Sequence, residues 1–255
     1  MLLQLGGGFC LCMQLAVVGV CSGLLKIFKT AHIFVWIIFA DAFRQGLSTT
    51  LALLKLQDHI LEQNSKKLFT CAIFLDLKKA FDTVDHQILL GKLSQYGLRG
   101  STNKFFESYL SKRKQFVYAN HIKSNTKYVT CGVPQGSTLG PILFLLYINN
   151  LPSVTKFNTL LFANDTTLTL SNGSGDELEK SVNSKLTSIV AWMQANKVTI
   201  NFKKTNFVLF GDESQRHSMN IFCSEQTISQ VDSAKYLGIL VDSKLTWTSH
   251  LENLY

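Results

Sequence analysis

The chain has 255 residues, 46% hydrophobic and 16% charged, with a formal net charge of +8. That length can bury a full core, and that composition excludes an intrinsically disordered chain. The excess of 25 Lys+Arg over 17 Asp+Glu suits an anionic partner, either nucleic acid or an acidic membrane surface, and does not choose between these and a basic protein that binds neither.

The N-terminal stretch differs from the rest. No charged residue occurs in residues 1–25, and the run 8–25 is long enough for a short membrane span. Lys26 and Lys29 follow, then a second apolar run over 31–40. The basic start of a signal peptide is missing. A membrane anchor, a buried hydrophobic segment and flanking sequence joined to a separate domain all remain open. The third is preferred, because nothing downstream looks secreted or membrane-embedded. The chain therefore divides into a hydrophobic segment over 1–40 and a domain over 41–255.

From residue 41 the pattern is that of a globular α+β protein. Residues 51–60 read as a helix and residues 68–75 as a buried strand. Asp85 can cap a helix that runs to Tyr96 and stops at Gly97. Ser101 or Thr102 can open another, with Phe105, Phe106, Tyr109 and Leu110 on its apolar side. Residues 127–131 read as a short strand and 139–149 as an apolar helix. Residues 158–170 read as a hairpin with Asn164-Asp165 at its tip. Residues 174–177 form a capping box, and the helix it opens aligns Leu178, Val182, Leu186, Ile189, Val190 and Met193 on one face. Residues 206–210, 226–230 and 236–241 read as strands. Helices packed on a sheet are the implied architecture. The cysteines Cys10, Cys12, Cys21, Cys71, Cys131 and Cys223 form no CxxC pair and no zinc-finger spacing, which favours a reduced, intracellular setting.

Phosphoryl transfer onto a growing nucleic acid uses paired divalent cations held by carboxylates at strand ends and turn tips. Asp76 ends the apolar strand, and Asp165 lies at the hairpin tip. Either alone is an ordinary strand-end or turn acid. Between them, residues 132–141 (GVPQGSTLGP) form a loop with three glycines and two prolines, whose backbone can approach a ligand closely.

Taken in order, these blocks resemble the reverse transcriptases, most closely those of non-LTR retrotransposons. FLDLKKAFDTVDH (74–86) is similar to the first palm block, and GVPQGSTLGPILFLLYINNLP (132–152) to the block that follows. FANDTTL (162–168) is similar to the metal-binding hairpin, NKVTINFKKTNFVLF (196–210) to the next block, and YLGILVDSKL (236–245) to the last. FRQGLSTTL (43–51) looks like the end of a fingers block.

The resemblance implies a palm, an antiparallel sheet packed by helices, with partial fingers and no thumb. It implies an RNA-directed DNA polymerase that uses an RNA template, a DNA primer, dNTPs and two Mg²⁺ ions. Asp76, the Leu77 carbonyl and Asp165 would hold the metal. Phe81 would be the steric gate against a 2′-hydroxyl. Gln135 and Gly136 would contact the incoming nucleotide, and Lys204, beside Lys203, would lie near the departing pyrophosphate. Arg44 would touch template or nucleotide. Nothing in the sequence sets an oligomeric state.

Two departures matter. Asn164 stands where the family has the first Asp of a pair, so one of three catalytic carboxylates is an uncharged amide. The chain also ends just after the last palm block, without thumb or upstream endonuclease sequence. The expectation is a truncated copy with crippled catalysis. The alternatives are a non-catalytic nucleic-acid-binding remnant and a membrane protein carrying a decayed domain. The basic run Lys112-Arg113-Lys114, with His121, Lys123 and Lys127, could follow a nucleic-acid backbone or be a solvated helix end.

Overall fold

The computed structural model describes residues 48–212 and 218–252. The 1–40 segment, Arg44 and the start of the fingers block lie outside them. No helix among the described residues is long and apolar enough to cross a membrane.

Helix α1 (Thr49–Ser65) begins where the Ser48 hydroxyl accepts from the Leu51 N–H at 3.2 Å. Strand β1 (Phe69–Asp76) follows, then α2 (His86–Gln95) and α3 (Ser101–Leu110). Four two-residue strands come next: β2 (Lys114–Gln115), β3 (Tyr118–Ala119), β4 (Ile122–Lys123) and β5 (Lys127–Tyr128). Helices α4 (Leu139–Ile148) and α5 (Leu151–Val154) lead into the hairpin of β6 (Asn158–Phe162) and β7 (Asp165–Asn172). Helix α6 (Gly175–Ala195) precedes β8 (Asn206–Phe210), β9 (Ile221–Cys223), β10 (Gln226–Gln230), β11 (Ser233–Tyr236), β12 (Ile239–Asp242) and α7 (Thr248–Glu252).

The main sheet has the order β6-β7-β1-β8-β10-β9. Its pairs are antiparallel except β8 with β10, which is parallel, so the expected antiparallel sheet is in fact mixed. Strand β1 is apolar on both faces because both faces are covered. Phe69, Cys71, Ile73 and Leu75 join the larger core with α2, α3, α4 and α6, while Ala72 and Phe74 join the smaller core with α1, β11 and β12. The same alternation divides β8, with Phe207 and Leu209 on one side and Val208 and Phe210 on the other.

Several local expectations needed correction. The 236–241 run is not one strand. Leu237 (φ 51) and Gly238 (φ 89) both turn left-handed, which folds it into the β11–β12 hairpin. Ser174 is the N-cap of α6 but makes no side-chain capping bond; Asp176 and Glu177 in the first turn complement the helix dipole instead. On α3 only Phe106 and Leu110 are buried, and Phe105 is 55% exposed. Asp85 caps α2 as expected, accepting from the Gln87 and Ile88 N–H groups at 3.0 Å each.

One polar group lies deep in the larger core. The Lys92 ammonium donates to the Tyr147 carbonyl and to Asn150 Oδ1, the latter at 2.9 Å, and lies 4.8 Å from the Tyr147 ring centroid and 5.1 Å from that of Trp192. The Trp192 indole N–H donates to the same Asn150 oxygen at 3.2 Å, so this group pins α2, α4 and α6 together. Burial pulls the Lys92 pKa down from 10.5 to about 8. Between those values the unfolded chain holds the proton that the folded chain has released, so stability rises with pH across that window. Urea titrations should show this rise in the native chain and its loss in Lys92→Met, which keeps the volume and removes the titrating group. An unchanged pH profile in the variant would assign the rise to other groups.

Candidate functional site

The β1–β7 register sets the site. Eight antiparallel pairs run from Phe69↔Asn172 to Asp76↔Asp165. The two acids are therefore direct neighbours at one end of adjacent strands. The hairpin turn is Ala163-Asn164, one residue earlier than expected, and Asp165 is the first residue of β7, paired with Phe162. Ala163 takes φ 54 there, a left-handed value that usually calls for glycine, so the turn holds strain beside the acids.

Asp76 is held from three directions. Its N–H donates to the Thr205 hydroxyl at 3.1 Å, its carbonyl accepts from the Asn201 N–H at 2.8 Å, and its carboxylate accepts from the Asn201 amide at 2.8 Å. The Lys78 N–H donates to the Thr199 carbonyl at 2.8 Å. Together these bonds bracket the Leu77↔Ile200 bridge and leave the Leu77 carbonyl outside its hydrogen bonds. Asn201 and Thr205 were not singled out from the sequence, although both lie in the 196–210 block.

Asp165 is different. Desolvation first, and then the neighbouring Asp76 charge, push its pKa up to about 6, against the opposing influence of Lys204. Lys204 is thus the lysine of the 203–204 pair that acts on the hairpin acid. The Asn164 amide donates to Asp165 Oδ1 at 3.3 Å. Two opposed carboxylates, one partly desolvated and raised by the other's charge, are the donor chemistry of a hard divalent cation. The fit is short of acids: among the described residues no group of three His, Cys, Asp or Glu side chains comes together.

Beside the acids, the glycine loop is stitched to the segment after β1. The Gly132 N–H donates to the Val84 carbonyl at 2.7 Å, the Val133 N–H to the Phe81 carbonyl at 2.8 Å, and Asp85 bridges Cys131. A Cβ on Gly132 would lie 2.6 Å from the Asp82 carbonyl oxygen, and its φ is 86, so only glycine allows this approach. Gln135 is anchored by its amide, which donates to Asp82 Oδ1 at 2.8 Å; Asp82 was another residue missed in the sequence. Gly136 (φ 78) has open space around it. Phe81 is half-buried, its ring centroid 4.7 Å from that of Phe144. The structure thus gathers Asp76, Leu77, Asn164, Asp165 and Lys204 in one group, and Phe81, Gln135 and Gly136 in an adjoining one.

The family described as reverse transcriptase (RNA-dependent DNA polymerase) matches residues 20–241, and the chain belongs to it. The match begins inside the hydrophobic N-terminal stretch. A probable RNA-directed DNA polymerase from transposon BS of Drosophila melanogaster is 31% identical over 225 residues, covering 82% of this chain and 24% of that protein. The RNA-directed DNA polymerase from mobile element jockey of the same fly is 28% identical, covering 85% of this chain and 24% of that protein. The chain thus spans about a quarter of the length of these relatives. Among solved structures, apo telomerase from Candida tropicalis truncated from its C-terminal domain superposes with a TM-score of 0.55 at 15% identity, covering 91% of this chain and 43% of that one. This likeness establishes the reverse-transcriptase-like palm fold.

The raised pKa of Asp165 carries a sign. Between pH 3.8 and about 6 the folded chain holds a proton that the unfolded chain has lost, so native stability falls as pH rises through that window. In the presence of a chelator, Asp165→Asn should be more stable than the native chain at pH 7, by on the order of 2 kcal/mol. That gain should vanish near pH 4 in denaturant titrations. An equal gain at both pH values would locate its origin elsewhere.

Proposed function

We propose that this chain is the palm of an RNA-directed DNA polymerase whose nucleotidyl transfer is weakened by Asn164. The observation that supports it is the Asp76↔Asp165 pairing at the end of β1 and β7. Asp76, the Leu77 carbonyl and Asp165 would hold Mg²⁺, which supplies stabilisation of the attacking primer oxygen and the departing pyrophosphate oxygen. Asn201 and Thr205 fix the Asp76 carboxylate and backbone, so little reorganisation is needed at that ligand. Phe81 is the steric gate for the dNTP sugar, backed by Phe144. Gln135, anchored on Asp82, and Gly136 form the nucleotide wall, and Lys204 offsets charge on the pyrophosphate. Arg44 is assigned to template or nucleotide. The partners are an RNA template, a DNA primer and dNTPs, in an intracellular setting.

A second reading, a nucleic-acid-binding protein without catalysis, is favoured by one observation. The Asn164 amide brings an N–H to Asp165 where the family brings a carboxylate. An amide oxygen adds no charge to the metal site, and the lost transition-state stabilisation is worth several kcal/mol, with about 1.4 kcal/mol equal to tenfold in rate.

Primer extension on an RNA template with Mg²⁺ and dNTPs separates the two. Asn164→Asp should raise the rate by about 100-fold or more, and Asp76→Ala should abolish it. Equal activity of the native chain and Asn164→Asp would refute the weakening. Absence of extension from both would favour the binding-only reading. In the active form, Phe81→Ala should erode discrimination between dNTP and rNTP while extension with dNTP persists. Unchanged discrimination would remove Phe81 from the gate.

A further inference from the structure

The segment between α3 and the glycine loop is used by nothing described above. It is a two-tier hairpin, β2 paired with β5 and β3 with β4, closed at its tip by Asn120 (φ 49) and His121 (φ 62). Between the tiers the Ser124 N–H donates to the Val117 carbonyl and the Val117 N–H to the Ser124 hydroxyl, each at 2.8 Å. The hairpin is therefore a built element, yet it contributes no buried side chain to any core.

What it exposes is unusual. Phe116, Tyr118 and Tyr128 are 51%, 64% and 66% exposed. Apolar rings do not stay in water on a freestanding hairpin without a reason, and clustered ones mark contact surfaces. The cross-strand pairs put Lys114 opposite Tyr128 and Tyr118 opposite Lys123. Phe116 lies between the two tiers, outside both strands. The Lys123 ammonium lies 4.1 Å from the Phe116 ring centroid and the Lys114 ammonium 4.9 Å from that of Tyr128. The hairpin thus presents a surface on which ring and cation alternate. Residues 108–164 contain no Asp or Glu, so no acid of the segment's own neutralises these lysines.

We propose that this surface, formed by Tyr128, Lys114, Phe116, Lys123 and Tyr118, is a stacking platform for an unpaired stretch of RNA. Rings offer a π-face to any base, and interleaved ammonium groups take the phosphates, which is the general chemistry of single-strand binding. Val117 and Ile122, 69% and 72% exposed, are side chains that would insert into lipid, and the vesicle arm of the test separates that outcome. The choice of RNA over other polyanions rests on membership of an RNA-dependent DNA polymerase family. The surface itself is argued independently of whether the Asp76–Asp165 site turns over.

The test is equilibrium binding of the whole chain, without Mg²⁺ or dNTP, to a fluorescent single-stranded RNA, a duplex RNA of the same length and vesicles containing an anionic lipid. Phe116→Ala combined with Tyr118→Ala should weaken single-strand binding by about tenfold or more and leave duplex binding within about twofold. The conservative pair Phe116→Tyr and Tyr118→Phe should keep native affinity, which separates loss of stacking from loss of the hairpin. Lys114→Gln and Lys123→Gln together should lower the slope of log affinity against log salt by about 1.4, since each phosphate contact on a single strand contributes about 0.7. Native single-strand affinity in the double alanine variant would overturn the proposal, as would a loss confined to vesicle binding. Because no turnover is involved, an inactive polymerase site does not affect either outcome.

Discussion

The pairing of β1 with β7 is the constraint on which the rest depends. A strand alternates its side chains between two faces, so a slip of one residue would exchange the larger core with the smaller one and part Asp76 from Asp165. The register is held because both faces of β1 are buried, by Ile73 and Leu75 on one side and Ala72 and Phe74 on the other. Packing therefore supplies what the acids lack. Two carboxylates do not attract each other, and the pKa of Asp165 is raised by its own desolvation first and by the Asp76 charge second.

Asn164 bears on that cost. A carboxylate at this position would add a third negative charge beside an acid already short of solvent. The amide instead donates an N–H to Asp165. On the proposed reading, Asn164 would exchange metal-binding charge for a calmer hairpin in a turn where Ala163 is already strained. On that reading stability and catalysis would pull in opposite directions here, as they commonly do where an active site concentrates like charge.

Much of this was legible in the sequence, and the gaps have physical causes. β1 was visible because a strand buried on both faces is a continuous apolar run, and α6 because its stripe repeats at helical spacing. The hairpin turn was misplaced by one residue because an alanine at positive φ leaves no mark in sequence, whereas Asn-Asp looks like a turn. The β11–β12 hairpin was read as one strand because Leu237 hides a left-handed turn whose only cue is Gly238. Asn201, Thr205 and Asp82 were missed because a polar loop residue has no periodicity; what each does depends on a partner distant in the chain. Lys92 carries no sign of its burial in the sequence, since a helical lysine is ordinarily solvated and only Tyr147, Asn150 and Trp192 close around this one.

The charge distribution joins these observations. Acids are absent from residues 108–164, a stretch that holds both the glycine loop and the exposed hairpin, and they return at Asp165. A polyanion meeting this stretch finds Lys112, Arg113, Lys114, Lys123, Lys127 and Lys156 with no acid among them to oppose it. The acids that do face one another, Asp76 and Asp165, repel a phosphate unless a cation lies between. Affinity for a strand can therefore reside in the lysines and rings, while the proposed reaction would depend on the carboxylates. A change such as Asn164 can then erode the second property and leave the first intact.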